Sequence, residues 1–324
     1  MKHWLRRLGT LCAVVGGLVF LAYALSSLRV ADLIPYLTWR TLLALLAAAL
    51  LYACTVPLSA WAWQRLLVAL DTSRSLRELN EILLTTQIGK YLPGNIGQHV
   101  GRIALALSRG IPSPALLVSI AYETLLLMLA GVLTGLVMAL LSPKGTAALM
   151  GHGDALVVAT AIALAGLLLV PLLGRLLPAV IRRFLPKVGY ANLDLRLGIL
   201  PTLSAFFGYV MAYLFIGAGI GVLSASLFPA LTQDFALLTA AFAVAWVVGF
   251  VTPGAPAGIG VREAVLTLIL GGPLGAASAA VLIIALRVAT TLGDILCLIA
   301  GLLLSARNRA GFGTPRQTHL GKDA

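Results

Sequence analysis

Charge is scarce in this sequence. Asp, Glu, Lys and Arg make up only 10% of its 324 residues, where soluble domains carry roughly a quarter. That shortage excludes a soluble globular body. Acidic residues are scarcer still, 11 against 23 Lys and Arg, and the formal net charge is +12. Cysteine is limited to Cys12, Cys54 and Cys297, at unrelated positions inside apolar runs. No disulfide framework and no metal-ligand spacing follow from them. The four histidines, His3, His99, His152 and His319, are scattered, which argues against a zinc set. A nucleotide-binding loop is also missing, so nothing points to direct ATP coupling. Gly258-x-Gly260 is no dinucleotide fingerprint, because no strand precedes it and the full spacing is absent. No cofactor and no metal are expected. No nucleophile–base pair can be assembled, so the chain reads as a non-enzyme.

What the sequence does have is long apolar runs and a mean hydropathy of +1.02. Crossing a ~30 Å hydrocarbon core takes about 20 residues in a helix. Runs at 8–25, 41–62, 115–141, 154–177, 200–226 and 275–304 meet that length. They are continuous rather than alternating, so the expectation is helices, which satisfy their own backbone in lipid, and not a barrel. With the basic N-terminus MKHWLRR in the cytoplasm, 16 of the 23 Lys and Arg fall in cytoplasmic segments. Only Arg29, Arg40 and Lys144 fall outside, and the remaining four lie within the membrane region. This positive-inside pattern accounts for the net charge without a nucleic-acid partner. It places both termini, including a short tail at 306–324, in the cytoplasm of an inner-membrane protein. Residues 1–24 also resemble a signal peptide ending in Ala22-Tyr23-Ala24, but the apolar run is long for one and is read as a retained span.

Two hydrophobic segments are interrupted. The halves 79–90 and 96–108 flank Tyr91-Leu92-Pro93-Gly94-Asn95, where proline lacks an N–H and Gly–Asn favours a turn. Each half is too short to cross a membrane, so the pair reads as a re-entrant hairpin opening to the cytoplasm. A second break at 252–263, TPGAPAGIGVRE, separates 235–251 from 264–272 and by parity opens outward. Span, hairpin and span then recur in opposite orientations, over about 41–141 and about 200–304. The expected fold is therefore an all-α polytopic membrane protein with six full spans and two re-entrant hairpins in an inverted repeat. Eight full spans are the alternative, with the termini on the same sides. Matching interruptions in inverted repeats point to a transporter's midplane site.

Ionisable residues inside a bilayer are costly and usually paired and functional. Here they are Lys90, Arg102, Glu123, Arg262, Glu263, Arg287 and Asp294. Glu123 lies 26 residues after Gly97 and Arg287 lies 27 after Gly260, nearly equivalent places in the two repeats. They are expected to approach each other, or each other's hairpin. Glu263 is expected to pair with Arg102 or Lys90 across the pseudo-symmetry axis, or to carry a proton. Asp294 is placed near the cytoplasmic end, and His99 lines the first hairpin or carries a proton. Trp39, Trp61 and Trp63 read as interfacial indoles at span ends. Gly217-Ala218-Gly219 and Gly275-Ala276-Ala277 suit close helix packing.

Lys90-Tyr91-Leu92-Pro93-Gly94 with Arg102 downstream, and Pro256-Ala257-Gly258-Ile259-Gly260-Val261-Arg262-Glu263, resemble the two signature stretches of the lysylphosphatidylglycerol synthase transmembrane, flippase-like family. The second departs from the family pattern at Ala257, which stands where the first of two glycines usually follows the proline. The resemblance implies a lipid translocase module, here without the soluble aminoacyl-transfer domain, so the synthase chemistry is not carried over. Its substrate would be an anionic phospholipid or a lipid-linked envelope precursor, and enzymes of envelope biosynthesis are possible partners. Lys90, Tyr91, Pro93, Gly94, Arg102, Gly258, Gly260, Arg262 and Glu263 would form the binding site. Glu123, Arg287 and His99 would form the coupling network. The alternatives are a transporter of a small soluble anion and a non-transporting membrane subunit of a biosynthetic complex.

Overall fold

The computed structural model describes residues 34–91, 97–150, parts of 154–172, and 198–231, 233–252 and 258–311. Among these, all regular structure is helical. Helices α1 (Trp39–Ala53) and α2 (Thr55–Val68) form one 30-residue rod broken only at Cys54. Pro57 is the cause, since its ring opposes the carbonyl four residues earlier, that of Ala53. The Cys297 thiol donates to that carbonyl at 3.8 Å. The first repeat continues with α3 (Leu76–Thr86), a 3-10 turn (Gln87–Tyr91), α4 (Gly97–Ser108) and α5 (Ser113–Leu141). After the short α6 (Pro143–Met150) come α7 (Ile199–Leu227), α8 (Phe235–Val251), α9 (Val261–Leu274) and α10 (Ala276–Gly311).

Helix starts follow local chemistry. The Ser75 hydroxyl accepts from the Glu78 N–H at 3.2 Å, and Asp234 accepts from the Leu237 N–H at 2.9 Å. Both satisfy N–H groups that a first turn leaves unpaired. Four helices are long and apolar enough to cross a membrane: Trp39–Val68, Ser113–Leu141, Ile199–Leu227 and Ala276–Arg307. They coincide with four of the expected spans. The expected span at 8–25 and much of that at 154–177 lie outside the described residues, as does most of the tail. At 1.5 Å per residue, α3, α4, α8 and α9 reach about 17, 18, 26 and 21 Å, each less than the ~30 Å of a bilayer core.

The two stretches read as repeats interlock. The first arm of each interrupted segment packs on the last long helix of the other repeat, α3 on α10 and α8 on α5. The two leading rods, α1–α2 and α7, pack on each other. Fully buried Trp63, Tyr122 and Tyr209 fill the middle, while Leu42, Leu46, Leu200, Leu268 and Leu303 face outward. A soluble protein rarely leaves so much apolar surface uncovered. The packing expected of Gly217 holds: it is buried, and a Cβ there would overlap the Thr239 side chain of α8. Gly275-Ala276-Ala277 does not pack as expected. These residues are exposed, and Gly275, at φ +85°, turns the chain between α9 and α10.

Candidate functional site

Both interrupted segments end at one cavity of about 200 Å³ in the centre of the bundle. Its polar lining comes from α1–α2 (Tyr52, Thr55, Ser59), the first interruption (Gln87, Lys90, Tyr91, Gln98, His99, Arg102), α5 (Glu123, Thr124), and α9–α10 (Arg262, Glu263, Arg287, Thr290). Trp246, Phe250 and Tyr213 form an aromatic wall, with Trp246 and Phe250 stacked at 5.1 Å and Tyr213 edge-on to Trp246.

Three ion pairs organise the charges. Arg102, only 4% exposed, forms a two-pronged pair with Glu123, with Nη1 to Oε1 at 2.9 Å and Nη2 to Oε2. Its guanidinium lies 3.8 Å from the centre of the Trp63 ring, and the Trp63 indole N–H donates to Ser119 at 2.9 Å. Planar guanidinium on an indole face, clamped by a carboxylate, fixes that side chain in three ways at once. In the second repeat the Arg287 Nε donates to Glu263, whose other oxygen accepts from the Gly260 N–H at 2.6 Å. That second contact occupies a free donor at the start of α9. The third pair is Lys90–Asp294, 2.6 Å, with Asp294 fully buried. Asp294 also accepts from Tyr91 at 2.6 Å and from Tyr52 at 3.1 Å, and the Lys90 ammonium contacts the Tyr52 hydroxyl at 2.5 Å.

The partners differ from those expected. Glu123 and Arg287 meet neither each other nor the opposite interruption; each pairs with the second arm of its own repeat. Glu263 accordingly does not pair with Arg102 or Lys90. Sequence spacing gives depth along a helix, but partner choice depends on rotation about its axis. Asp294 is not near the C-terminal end of α10, the end expected to be cytoplasmic. It lies 13 residues, about 20 Å, before Arg307 and meets the tip of the first interruption. At that end the carboxylate is Glu81, which accepts from Arg109 and, at 2.6 Å, from Ser305. The hydrogen bond from Arg109 to Glu81 holds the Arg109 guanidinium above its usual pKa. Trp63 is not interfacial either: α2 runs on to Val68, which carries Trp63 into the core. Trp39, by contrast, is 67% exposed.

Of the remaining expected site residues, His99 lines the cavity beside Gln98, and Gly258 and Gly260 adopt φ +69° and +86°, which only glycine takes readily. Pro93 and Gly94 lie outside the described residues. Tyr52, Trp63 and Trp246 carry no signal in the sequence beyond their aromatic character, and position alone makes them part of the site. Aligning Pro93–Gly97 with Pro256–Gly260 gives a constant shift of 163 residues. Under it the two intra-repeat ion pairs fall at neighbouring positions with opposite polarity: Arg on the arm and Glu on the long helix, then Glu on the arm and Arg on the long helix. The counterparts of Lys90 and Asp294 are Pro253 and Gly131, so that pair exists once. Among the described residues no group of three His, Cys, Asp or Glu is placed to hold a metal ion.

The family model for the lysylphosphatidylglycerol synthase TM region matches residues 10–301. The chain belongs to this family. No curated protein matches the sequence. Membership of the lysylphosphatidylglycerol synthase TM region family, with four helices of spanning length, makes the chain an integral membrane protein with a lipid-related function.

Proposed function

We propose that this protein is a lipid translocase, a flippase or scramblase rather than an enzyme. It would pass the headgroup of an anionic phospholipid or lipid-linked envelope precursor through the central cavity while the acyl chains stay in the bilayer. The observation that carries the reading is the cavity itself, where both interrupted segments converge on a cluster of ionised side chains. At about 200 Å³ it is smaller than the ~300–1,000 Å³ of drug-sized sites and suits a headgroup, not a whole lipid. The shortness of α3, α4, α8 and α9 supports reading the interrupted segments as re-entrant hairpins, one opening to each side. The reciprocal packing of their first arms supports an inverted repeat, the arrangement used for alternating access. On this reading the protein sits in the inner membrane with both termini cytoplasmic, where enzymes of envelope biosynthesis are candidate partners.

The test is translocation of a headgroup-quenchable anionic phospholipid in proteoliposomes, with the wild type beside Arg262→Gln and Glu263→Gln. The wild type should move lipid well above empty liposomes, and both folded variants should lose at least about tenfold, the cost of one charge-assisted contact. Equal movement in all three would take the path away from this cavity. No movement of any anionic lipid tried would sink the translocase reading.

A further inference from the structure

Four cations, Lys90, Arg102, Arg262 and Arg287, and two carboxylates, Glu123 and Glu263, line the cavity, and a third carboxylate, Asp294, lies buried behind Lys90. Three of the cations have a carboxylate each; Arg262 has none within 4 Å among the described residues. The breaks at 92–96 and 253–257 contain no Asp or Glu, so neither supplies a fourth. Arg262 lies instead against the Trp246 ring, 5.7 Å from its centre, within electrostatic reach of both Arg287 and Glu263. Its Nε and the Nη2 of Arg287 are both buried with no hydrogen-bond partner. Gly249 and Gly258 wall the side chain closely: a Cβ would come within 2.7 Å of Arg262 Cγ at the first and 2.6 Å of its Nε at the second.

We infer that Arg262 and Arg287 form the anion seat of this cavity and that it accepts a single negative charge, as a phosphodiester carries. The inference rests on the central cavity being the binding site proposed above. Lys90 and Arg102 are set aside as phosphate ligands because Asp294 holds the Lys90 ammonium and Glu123 takes both terminal nitrogens of Arg102, whereas Glu263 takes only the Nε of Arg287 and leaves its Nη2 unpartnered. Two guanidinium groups lining one cavity, each with an unused donor, suit phosphate oxygens in chemistry and charge. One monoanion brings these seven charges to balance, whereas a dianion leaves one carboxylate-equivalent unpaired in a site largely shielded from water.

The full chain in detergent is titrated calorimetrically with dihexanoyl phosphatidylglycerol, dihexanoyl phosphatidic acid, dihexanoyl phosphatidylcholine and glycerophosphoglycerol. At about pH 8 the phosphomonoester is dianionic, its second ionisation lying near pH 6. Phosphatidylglycerol should bind best of the three lipids. Arg262→Gln should weaken it about tenfold or more, and Arg262→Lys less. Glu263→Gln adds one positive charge and should shift the preference toward phosphatidic acid. Unchanged phosphatidylglycerol affinity in Arg262→Gln, with unfolding temperature preserved, would overturn the seat. So would an unmoved phosphatidic acid-to-phosphatidylglycerol ratio in Glu263→Gln, which also decides the matter if Arg262→Gln does not fold. Glycerophosphoglycerol binding as tightly as the lipid assigns the seat to a soluble phosphodiester, and weaker binding assigns it to a headgroup; both support the seat. Intact binding without translocation in proteoliposomes would remove the translocase reading and leave the seat standing.

Discussion

Replacing Glu123 by Gln keeps the shape of the side chain and removes its charge, leaving Arg102 buried against Trp63 without a counter-ion. Breaking a buried pair at one partner costs about 3–5 kcal/mol. The Gln carbonyl retains one acceptor and the indole face still attracts the guanidinium, worth about 2 kcal/mol when desolvated, so the lower end, about 3 kcal/mol, is expected. That is more than a hundredfold in the folding equilibrium. The decisive comparison is the double variant Arg102→Met with Glu123→Gln. It removes the stranded cation and also the Arg102 Nε, which has no partner in the native state. Replacing both members of a buried pair is often nearly neutral. The double variant should therefore regain most of the loss and end within about 1 kcal/mol of wild type. Equilibrium unfolding in mixed micelles of rising dodecyl sulfate fraction, followed by tryptophan fluorescence, reads both numbers, and Trp63 reports from the pair itself. A single variant costing less than about 1 kcal/mol, or a double no better than the single, would refute the claim that this pair is desolvated and mutually dependent.

Asp294→Asn should free the Lys90 ammonium and raise the reactivity of a cysteine introduced at Gln87 toward a small aqueous thiol reagent; no change would mean the tip of the first interruption is held by its tyrosines alone. Gly217→Ala should destabilise by about 1–3 kcal/mol through overpacking against Thr239, measured in the same micelle titration, and should be relieved when combined with Thr239→Ala. Gly249→Ala should leave folding nearly intact while weakening anionic lipid binding, because the new methyl displaces Arg262; calorimetric affinity equal to wild type would contradict that. Glu81→Gln releases Arg109, whose side chain is 32% exposed, so the expected cost is modest, about 1 kcal/mol, with faster amide exchange confined to α3 and the end of α10.

Much of the architecture was legible because it rests on properties local to the chain. Length and hydropathy mark α5, α7 and α10, and proline with glycine marks both interruptions at the right residues. The span expected at 41–62 grows to Trp39–Val68 because Gln64 and Arg65, which look terminal, continue the helix, Gln64 donating to the Arg74 carbonyl at 2.7 Å. That one extension turned Trp63 from a surface indole into the floor beneath Arg102. The set of site charges was legible too, since any ionised residue in an apolar run stands out. Their pairing was not. It depends on helix rotation and on which repeat each arm packs against, neither of which spacing along the chain reports. Tyr52 illustrates the limit, as one tyrosine in an apolar run becomes meaningful only when Lys90 and Asp294 arrive from residues 38 and 242 positions away.

Arg102–Glu123 and Arg287–Glu263 each lie wholly within one repeat, so either half can tilt or slide against the other without tearing opposite charges apart in a low-dielectric interior. Among the described residues, Lys90–Asp294 is the one ion pair that bridges the halves. Relative motion of the two bodies therefore breaks one ion pair, a single strut, beside the hydrogen bonds that Ser305 donates to Glu81 and Ser142 donates to Asp234. Because the counterparts of that strut are Pro253 and Gly131, its resistance falls on one side of the pseudo-symmetric pair and not the other. On the translocase reading proposed above, opening is lopsided, and the face holding the strut needs a displacing charge before it opens.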